Sequence, residues 1–277
     1  MAKTAHKRLP KRLHDTNDIW LLLRAEVEDL LLAEPVLEKF YRDAVLDHDS
    51  FGNALCSVLA SRLQCEVLDK ATLARTIYNA LQNDHDIIDS AKFDLLAFCQ
   101  RDPACNRYSL PFLYYKGYQG LQIYRVGRWL WKNHHRGLSR FLQSRVSQVF
   151  GMDIHPAASI GKGILIDHAT SIVIGETAVV GDNVSMLHEV TLGGTGKDTG
   201  DRHPKVNSGV LIGTGAKILG NVSIGKNAKV GAGSVVLNDV DDYCTVAGIP
   251  AQPVGDCADG TPALEMDHSL DSALNSP

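Results

Sequence analysis

Asp153–Val184 reads DIHPAASIGKGILIDHATSIVIGETAVVGDNV, and its aliphatic residues return every six positions. Ile154, Ile160 and Ile166 begin the series, Ile174, Val180, Met186 and Leu192 extend it, and Val206, Ile212, Ile218, Ile224, Val230 and Val236 complete it. Four places after most of these markers stands a second small or aliphatic residue, among them Ala158, Ile164, Thr170, Ala178, Val184 and Val190. Glycine follows the marker at 161, 175, 181, 213, 225 and 231. A fixed short period belongs to a solenoid, in which a repeat buries its apolar residue only by stacking on its neighbours. The six-residue form is the parallel β-helix, with three hexapeptides to a triangular coil and small residues at the tight corners. An ordinary sheet fails as a reading, because its strands alternate with period two and carry no glycine phase.

The register breaks twice. Ile166 to Ile174 spans eight residues, which leaves two extra near Asp167-His168, and Leu192 to Val206 spans fourteen, which loops Gly193–Lys205 out of a coil. That second stretch, LGGTGKDTGDRHPK from Leu192 to Lys205, superficially resembles a phosphate loop. A P-loop centred on Gly196-Lys197 would need glycine where Thr191 stands and a hydroxyl where Asp198 stands, so the reading fails. Loops on rigid scaffolds concentrate binding groups, and this one delivers Asp201-Arg202-His203-Pro204.

Upstream of Met152 the period is helical. Ile19, Leu22, Leu23, Val27, Leu30 and Leu31 form one stripe, with Asn17 placed to cap it and Pro35 beyond its end. Similar patterns run over 51–63, 71–81 and 87–99, and the aromatic-rich stretch 112–131 suits helices packed on one another. The organisation expected is a basic arm over 1–16, a helical domain over 17–151, a β-helix over 152–255 and a flexible acidic tail over 256–277, which is an α+β chain.

The 277 residues are 44% hydrophobic and 22% charged with a net charge of −4, which gives no general attraction to nucleic acid or acidic membrane. No run approaches the length of a membrane span, and no apolar signal-peptide core follows the basic start. The six cysteines, 56, 65, 99, 105, 244 and 257, show neither zinc spacing nor a disulfide framework, which points to a reducing, cytoplasmic setting.

The residues DIHPAASIGKGILIDHATSIVIGETAVVGDNV, VTLGGTGKDTGDRHPK, GAKILGN and GAGSVVL, with RDPACNRYSLPFLYYKG and RVGRWLW upstream, resemble the bacterial serine O-acetyltransferases of the hexapeptide-repeat acyltransferase superfamily. The resemblance implies a left-handed β-helix, acetyl-CoA as donor and co-substrate with no permanently bound cofactor or metal, L-serine as acceptor, and O-acetyl-L-serine for cysteine synthesis. By the same resemblance His168 is the general base and Asp153 its paired carboxylate, an arrangement suited to activating a poorly nucleophilic hydroxyl. Arg202 would hold the acceptor carboxylate, Asp102 and Asp167 its ammonium, and His203 would make a further substrate contact. Gly194, Thr195, Gly215, Ala216, Gly231 and Ala232 would admit the pantetheine arm, and Lys226 and Lys229 would meet CoA phosphates. The family also implies a homotrimer or a dimer of trimers and feedback inhibition by L-cysteine. Many members of the family end in an isoleucine that inserts into O-acetylserine sulfhydrylase; this sequence ends Asn275-Ser276-Pro277, so that complex is not expected. Three other readings share the prism: a hexapeptide-repeat acetyltransferase with another hydroxyl or amino acceptor, a zinc hydrase, for which His155, His168, His188 and His203 lack ligand spacing, and a non-catalytic scaffold.

Overall fold

The computed structural model describes residues 18–197, 199–257 and 259–270. Its first half is helical: α1 (Ile19–Ala33), α2 (Glu38–Tyr41), α3 (Phe51–Leu63), α4 (Lys70–Asn83), α5 (Asp86–Arg101), α6 (Ser109–Leu113), α7 (Lys116–Lys132) and α8 (Arg136–Phe150). Ser50 caps α3 by accepting from Asn53 N at 3.3 Å, and Asp69 caps α4 by accepting from Thr72 N at 2.7 Å. Asp18 occupies the N-cap position of α1 and makes no side-chain cap, and Asn17, the expected cap, lies outside the described residues. Gly151 closes α8 in the left-handed conformation (φ 69°) and hands the chain to the prism.

The prism is a left-handed parallel β-helix of about five turns. Its first coil is β1 (Met152–Ile154), β2 (Ser159–Ile160) and β3 (Leu165–Ile166); the second is β4 (Ile172–Ile174), β5 (Val179–Val180) and β6 (Ser185–Met186). The third is β7 (Thr191–Gly193), β8 (Lys205–Val206) and β9 (Leu211–Ile212); the fourth is β10 (Lys217–Leu219), β11 (Ser223–Ile224) and β12 (Lys229–Val230). In the fifth, β13 (Val235–Val236) is followed by a single bridge from Val240 to Ile224 and then β14 (Thr245–Gly248), against which β15 (Ala251–Pro253) turns back antiparallel. The first strand of each coil stacks into face A, the second into face B and the third into face C.

All the six-residue markers from Ile154 to Val236 are buried, none more exposed than Ile160 at 8%. Each contributes about 1.5–3 kcal/mol by leaving water, which is how strands of two or three residues hold together. The residues four places on are buried too, except Thr170, which is exposed. The two-residue insertion moves Ile172 into the slot that the plain period assigns to Thr170, so Met152 pairs with Ile172 while Val173 pairs with Thr191 in an uninterrupted coil.

The helices close the lower end of the prism. Buried Asp94 accepts from Arg125 Nη2 at 2.7 Å and from Ile164 N at 2.9 Å, while Arg125 Nη2 also donates to Gly161 O at 2.8 Å. One satisfied ion pair thus joins α5, α7 and the first coil. Gly117 permits the closest approach: a Cβ there would stand 2.0 Å from Ile166 O.

Two expectations are corrected. Cys244 and Cys257 form a disulfide, because β15 folds back along β14 and returns the chain to the last coil; spacing in sequence carries no trace of that reversal. The chain expected to be a flexible tail from residue 256 is docked over its described part. Ala263, in the short helix α9 (Pro262–Glu265), is fully buried, and its carbonyl accepts from Ser185 Oγ at 2.8 Å. Lys229 Nζ donates to Ser269 O, and Met266 packs on the core. A few well-placed apolar side chains suffice where a groove is already formed, which composition averaged over 22 residues conceals. Residues 271–277, including the terminal Asn275-Ser276-Pro277, lie outside the described part.

Candidate active site

The insertion after Ile166 builds the corner between faces C and A as a turn with three non-glycine residues in the left-handed region: His168 (φ 56°), Ala169 (57°) and Ser171 (61°). Such backbone persists only where its surroundings enforce it. Ala169 N donates to Asp167 O at 2.6 Å, Glu189 N to Thr170 O at 2.7 Å and Ser171 N to Gly151 O at 2.8 Å. The turn presents His168 to solvent, its side chain 73% exposed, with Nε2 3.6 Å from Asp167 Oδ2. The ring of His188, one coil up, lies edge-on to His168 at 5.7 Å, and its buried Nδ1 has no partner among the described residues. Asp102, at the end of α5, reaches this corner: with Phe98, Tyr115, Lys116, Asp167 and His168 it lines a cavity of about 420 Å³. Burial pushes the Tyr115 hydroxyl up to about 12, so the phenol in that wall is neutral.

A second cluster occupies the corner between faces A and B. The looped segment returns here and is pinned by Thr177, whose Oγ1 accepts from Arg202 N at 3.0 Å and from His203 N at 3.1 Å. Thr177 N donates to His203 Nδ1 at 3.2 Å, so that nitrogen is an acceptor and the neutral ring carries its proton on Nε2. Burial, aided by Arg202, holds His203 below the usual histidine value. Its ring lies over Gly175, where a Cβ would come within 2.0 Å of it. Arg202 Nη2 pairs with Glu176 Oε2 at 2.8 Å, and that bond draws the Glu176 carboxyl below its ordinary range. His155, also lowered chiefly by burial, stacks edge-on to Trp131 at 5.2 Å, and its Nε2 has no hydrogen-bond partner among the described residues.

The two clusters lie on opposite edges of face A, separated by a three-residue strand, a span of about 10 Å. Asp153 stands on face A in β1, where its Oδ1 accepts from Gln143 Nε2 at 2.7 Å. The candidate site residues therefore fall into two groups within one chain, with His168, Asp167 and Asp102 in one and Arg202 and His203 in the other.

A family model described as serine acetyltransferase, N-terminal, matches residues 19–123, and one for the bacterial transferase hexapeptide (six repeats) matches residues 203–238. The serine acetyltransferase of Escherichia coli (strain K12) is 49% identical over 249 residues, 90% of this chain and 91% of the relative. The chain belongs to the serine acetyltransferase family. It is accordingly an acyltransferase. Solved serine acetyltransferases superpose closely: one in complex with cysteine (TM-score 0.90, 46% identity, 92% of this chain and 99% of that one), and that of Brucella abortus in complex with coenzyme A (0.85, 45%, 87% and 96%). A third, from Neisseria gonorrhoeae in complex with serine, gives 0.84 at 48% identity over 85% of this chain and 97% of that one.

In this chain the six small residues expected along the donor path divide between the same two edges. Gly215-Ala216 and Gly231-Ala232 stack above His168 and His188 on the C/A corner, where Gly215 N donates to His188 O at 3.0 Å. Gly194 and Thr195 begin the loop on the A/B corner. The two lysines stand elsewhere. Lys226 is exposed at the B/C corner, its backbone N bound to Asp242 Oδ1, and Lys229 is buried on face C beneath the C-terminal segment. A period of six predicts which residues turn inward but not which corner an outward lysine reaches. Sequence reading missed Lys116, Glu176 and Thr177 as parts of the two clusters. The signal available for Glu176 and Thr177 was their place in the A/B turn one coil below Arg202.

Proposed function

We propose that the chain transfers the acetyl group of acetyl-CoA to the hydroxyl of L-serine, with His168 as general base, in a site completed between two copies. The observation that carries this reading is the division of the site: a base and two carboxylates on one edge of face A, an arginine and a buried neutral histidine on the other. When the C/A corner of one copy meets the A/B corner of the next around a three-fold axis, the halves face each other. Such a ring closes with every copy contributing both halves, whether as a trimer or as a dimer of trimers.

Asp102 and Asp167 then take the acceptor's ammonium, and Arg202 of the second copy takes its carboxylate through the guanidinium edge not used by Glu176. His203 donates through Nε2. His168 removes the hydroxyl proton as the oxygen attacks the thioester carbonyl. The tetrahedral intermediate collapses with cleavage of the C–S bond, and the imidazolium returns the proton to the leaving thiolate. Asp153 is the carboxylate available to steady that imidazolium once face A is covered, and Gln143, bound to its Oδ1, leaves Oδ2 to accept. Coenzyme A lies along the column of small residues above His188, with Gly194-Thr195 of the second copy on its other side.

Cysteine carries the ammonium and carboxylate of serine, so it binds the same groups and competes with the acceptor, and the product feeds cysteine synthesis. The reading is tested by CoA release from acetyl-CoA with and without L-serine, and with sugar or amine acceptors in its place. Serine-dependent release that other acceptors do not match is expected; equal turnover of an acceptor lacking the ammonium and carboxylate would overturn the assignment.

A further inference from the structure

We infer that Lys116 is a positioning residue for His168: its ammonium ties the left-handed turn that carries the base and sets the electrostatic field in which that base works. The inference rests on the proposed role of His168. Lys116 is the first residue of α7, and its Nζ donates to Thr170 Oγ1 at 2.6 Å. Thr170 is the residue that the two-residue insertion expels from the prism interior, and its outward hydroxyl, which donates to His168 O at 3.5 Å, accepts from Lys116 as a handle on the turn. The other bonds to the turn come from the prism backbone or from Gly151; among the described residues, Lys116 supplies the side-chain bond that reaches it from the helical half. Its own position is set by the next residue, since Gly117 lies against Ile166 O so closely that no Cβ fits. The helix therefore cannot recede from the turn without losing that contact, and a four-carbon side chain bridges the remaining gap.

Lys116 forms no ion pair among the described residues, so the partner of its charge is a neutral hydroxyl. It lines the cavity shared with Asp102, Asp167, Tyr115 and His168. The titratable groups around His168 are thus Asp167 on its own turn, His188 and Glu189 from the coil above, Asp102, Tyr115 and Lys116 from the helical half, and His268 of the C-terminal segment, which senses Asp167. The Lys116 ammonium is a cation on the wall of the cavity that His168 shares, and a nearby cation disfavours protonation of an imidazole.

Three variants of the full-length enzyme separate the turn from the charge. Lys116→Met is expected to lower kcat about tenfold, as loss of one charge-assisted positioning bond, with the KM for acetyl-CoA unchanged. The acid limb of its kcat/KM profile moves to higher pH, because the imidazole is then protonated more easily. Lys116→Arg keeps both donor and charge and restores the profile and most of kcat. Thr170→Val removes the handle but not the cation, so kcat falls while the acid limb stays in place. A folded Lys116→Met enzyme with normal kcat and an unmoved acid limb, or a Lys116→Arg enzyme as impaired as Lys116→Met, overturns the inference. His168→Ala run alongside tells the two ideas apart: if it retains turnover, the base assignment itself has failed, and if it is inactive while Lys116→Met is normal, only the role of Lys116 has failed.

Discussion

His168 combines an exposed ring with a backbone that only a heavily bonded turn maintains, and that pairing of accessibility with constraint suits a group that must meet a mobile substrate at one angle. Replacing it by alanine removes the proton acceptor while leaving the donor path of small residues intact. The expected loss is about 10²–10⁴-fold in kcat, with acetyl-CoA affinity little changed, measured by CoA release and by donor titration. Near-normal turnover would end the assignment. His155 and His203 make a separate prediction, about stability. Burial lowers both below the ordinary histidine value of 6.5, so the folded chain takes up their protons less readily than the unfolded chain. Their contribution is full above about pH 6.5 and is lost as the pH falls through their lowered values. The melting temperature should therefore fall between about pH 7 and about pH 5, and His203→Gln should flatten part of that slope. A melting temperature equally pH-dependent in that variant would contradict the burial argument for His203.

At the level of elements, the prism was legible residue by residue, because a marker that fails to point inward exposes an aliphatic side chain and leaves a void in a column three residues wide. The single misassigned inward position, Thr170, lies at the insertion, where the spacing already departs from six and Ile172 takes over the inward slot. What the period could not convey is how the helices meet the prism, since that contact depends on surface relief. Gly117 is its clearest mark. Gly117→Ala should force α7 away from β3, at a cost of about 1–3 kcal/mol for overpacking against a carbonyl that cannot move. It should also raise the KM for serine, because Tyr115 and Lys116 move with α7 and reshape the cavity they share with Asp102. Differential scanning calorimetry and steady-state kinetics check both, and an enzyme unchanged in melting temperature would show that the contact is slack. The docked segment over 261–269 teaches the complementary lesson. Its acidic composition suggested a free tail, yet one buried alanine, one methionine and two hydrogen bonds, from Ser185 and Lys229, are enough to seat it against elements distant in sequence.

On the scale of the whole molecule, the identities of the candidate site residues were readable from motif resemblance, but their division into two half-sites was not, because a linear period does not say which edge of a prism each turn occupies. We propose that face A, bounded by both half-sites, is covered by a second copy, so that Arg202 of one and His168 of the other hold one acceptor. That is the claim on which the functional account depends, and subunit mixing addresses it directly. His168→Ala and Arg202→Ala proteins are each purified, assayed at serine concentrations well below KM, then dissociated together in equal amounts and reassembled. If the site is shared, sites that draw His168 from one variant and Arg202 from the other are intact, and about a quarter of wild-type activity returns on random mixing. If each chain carries its own complete site, no pairing restores one, and activity stays at the average of the two separate variants.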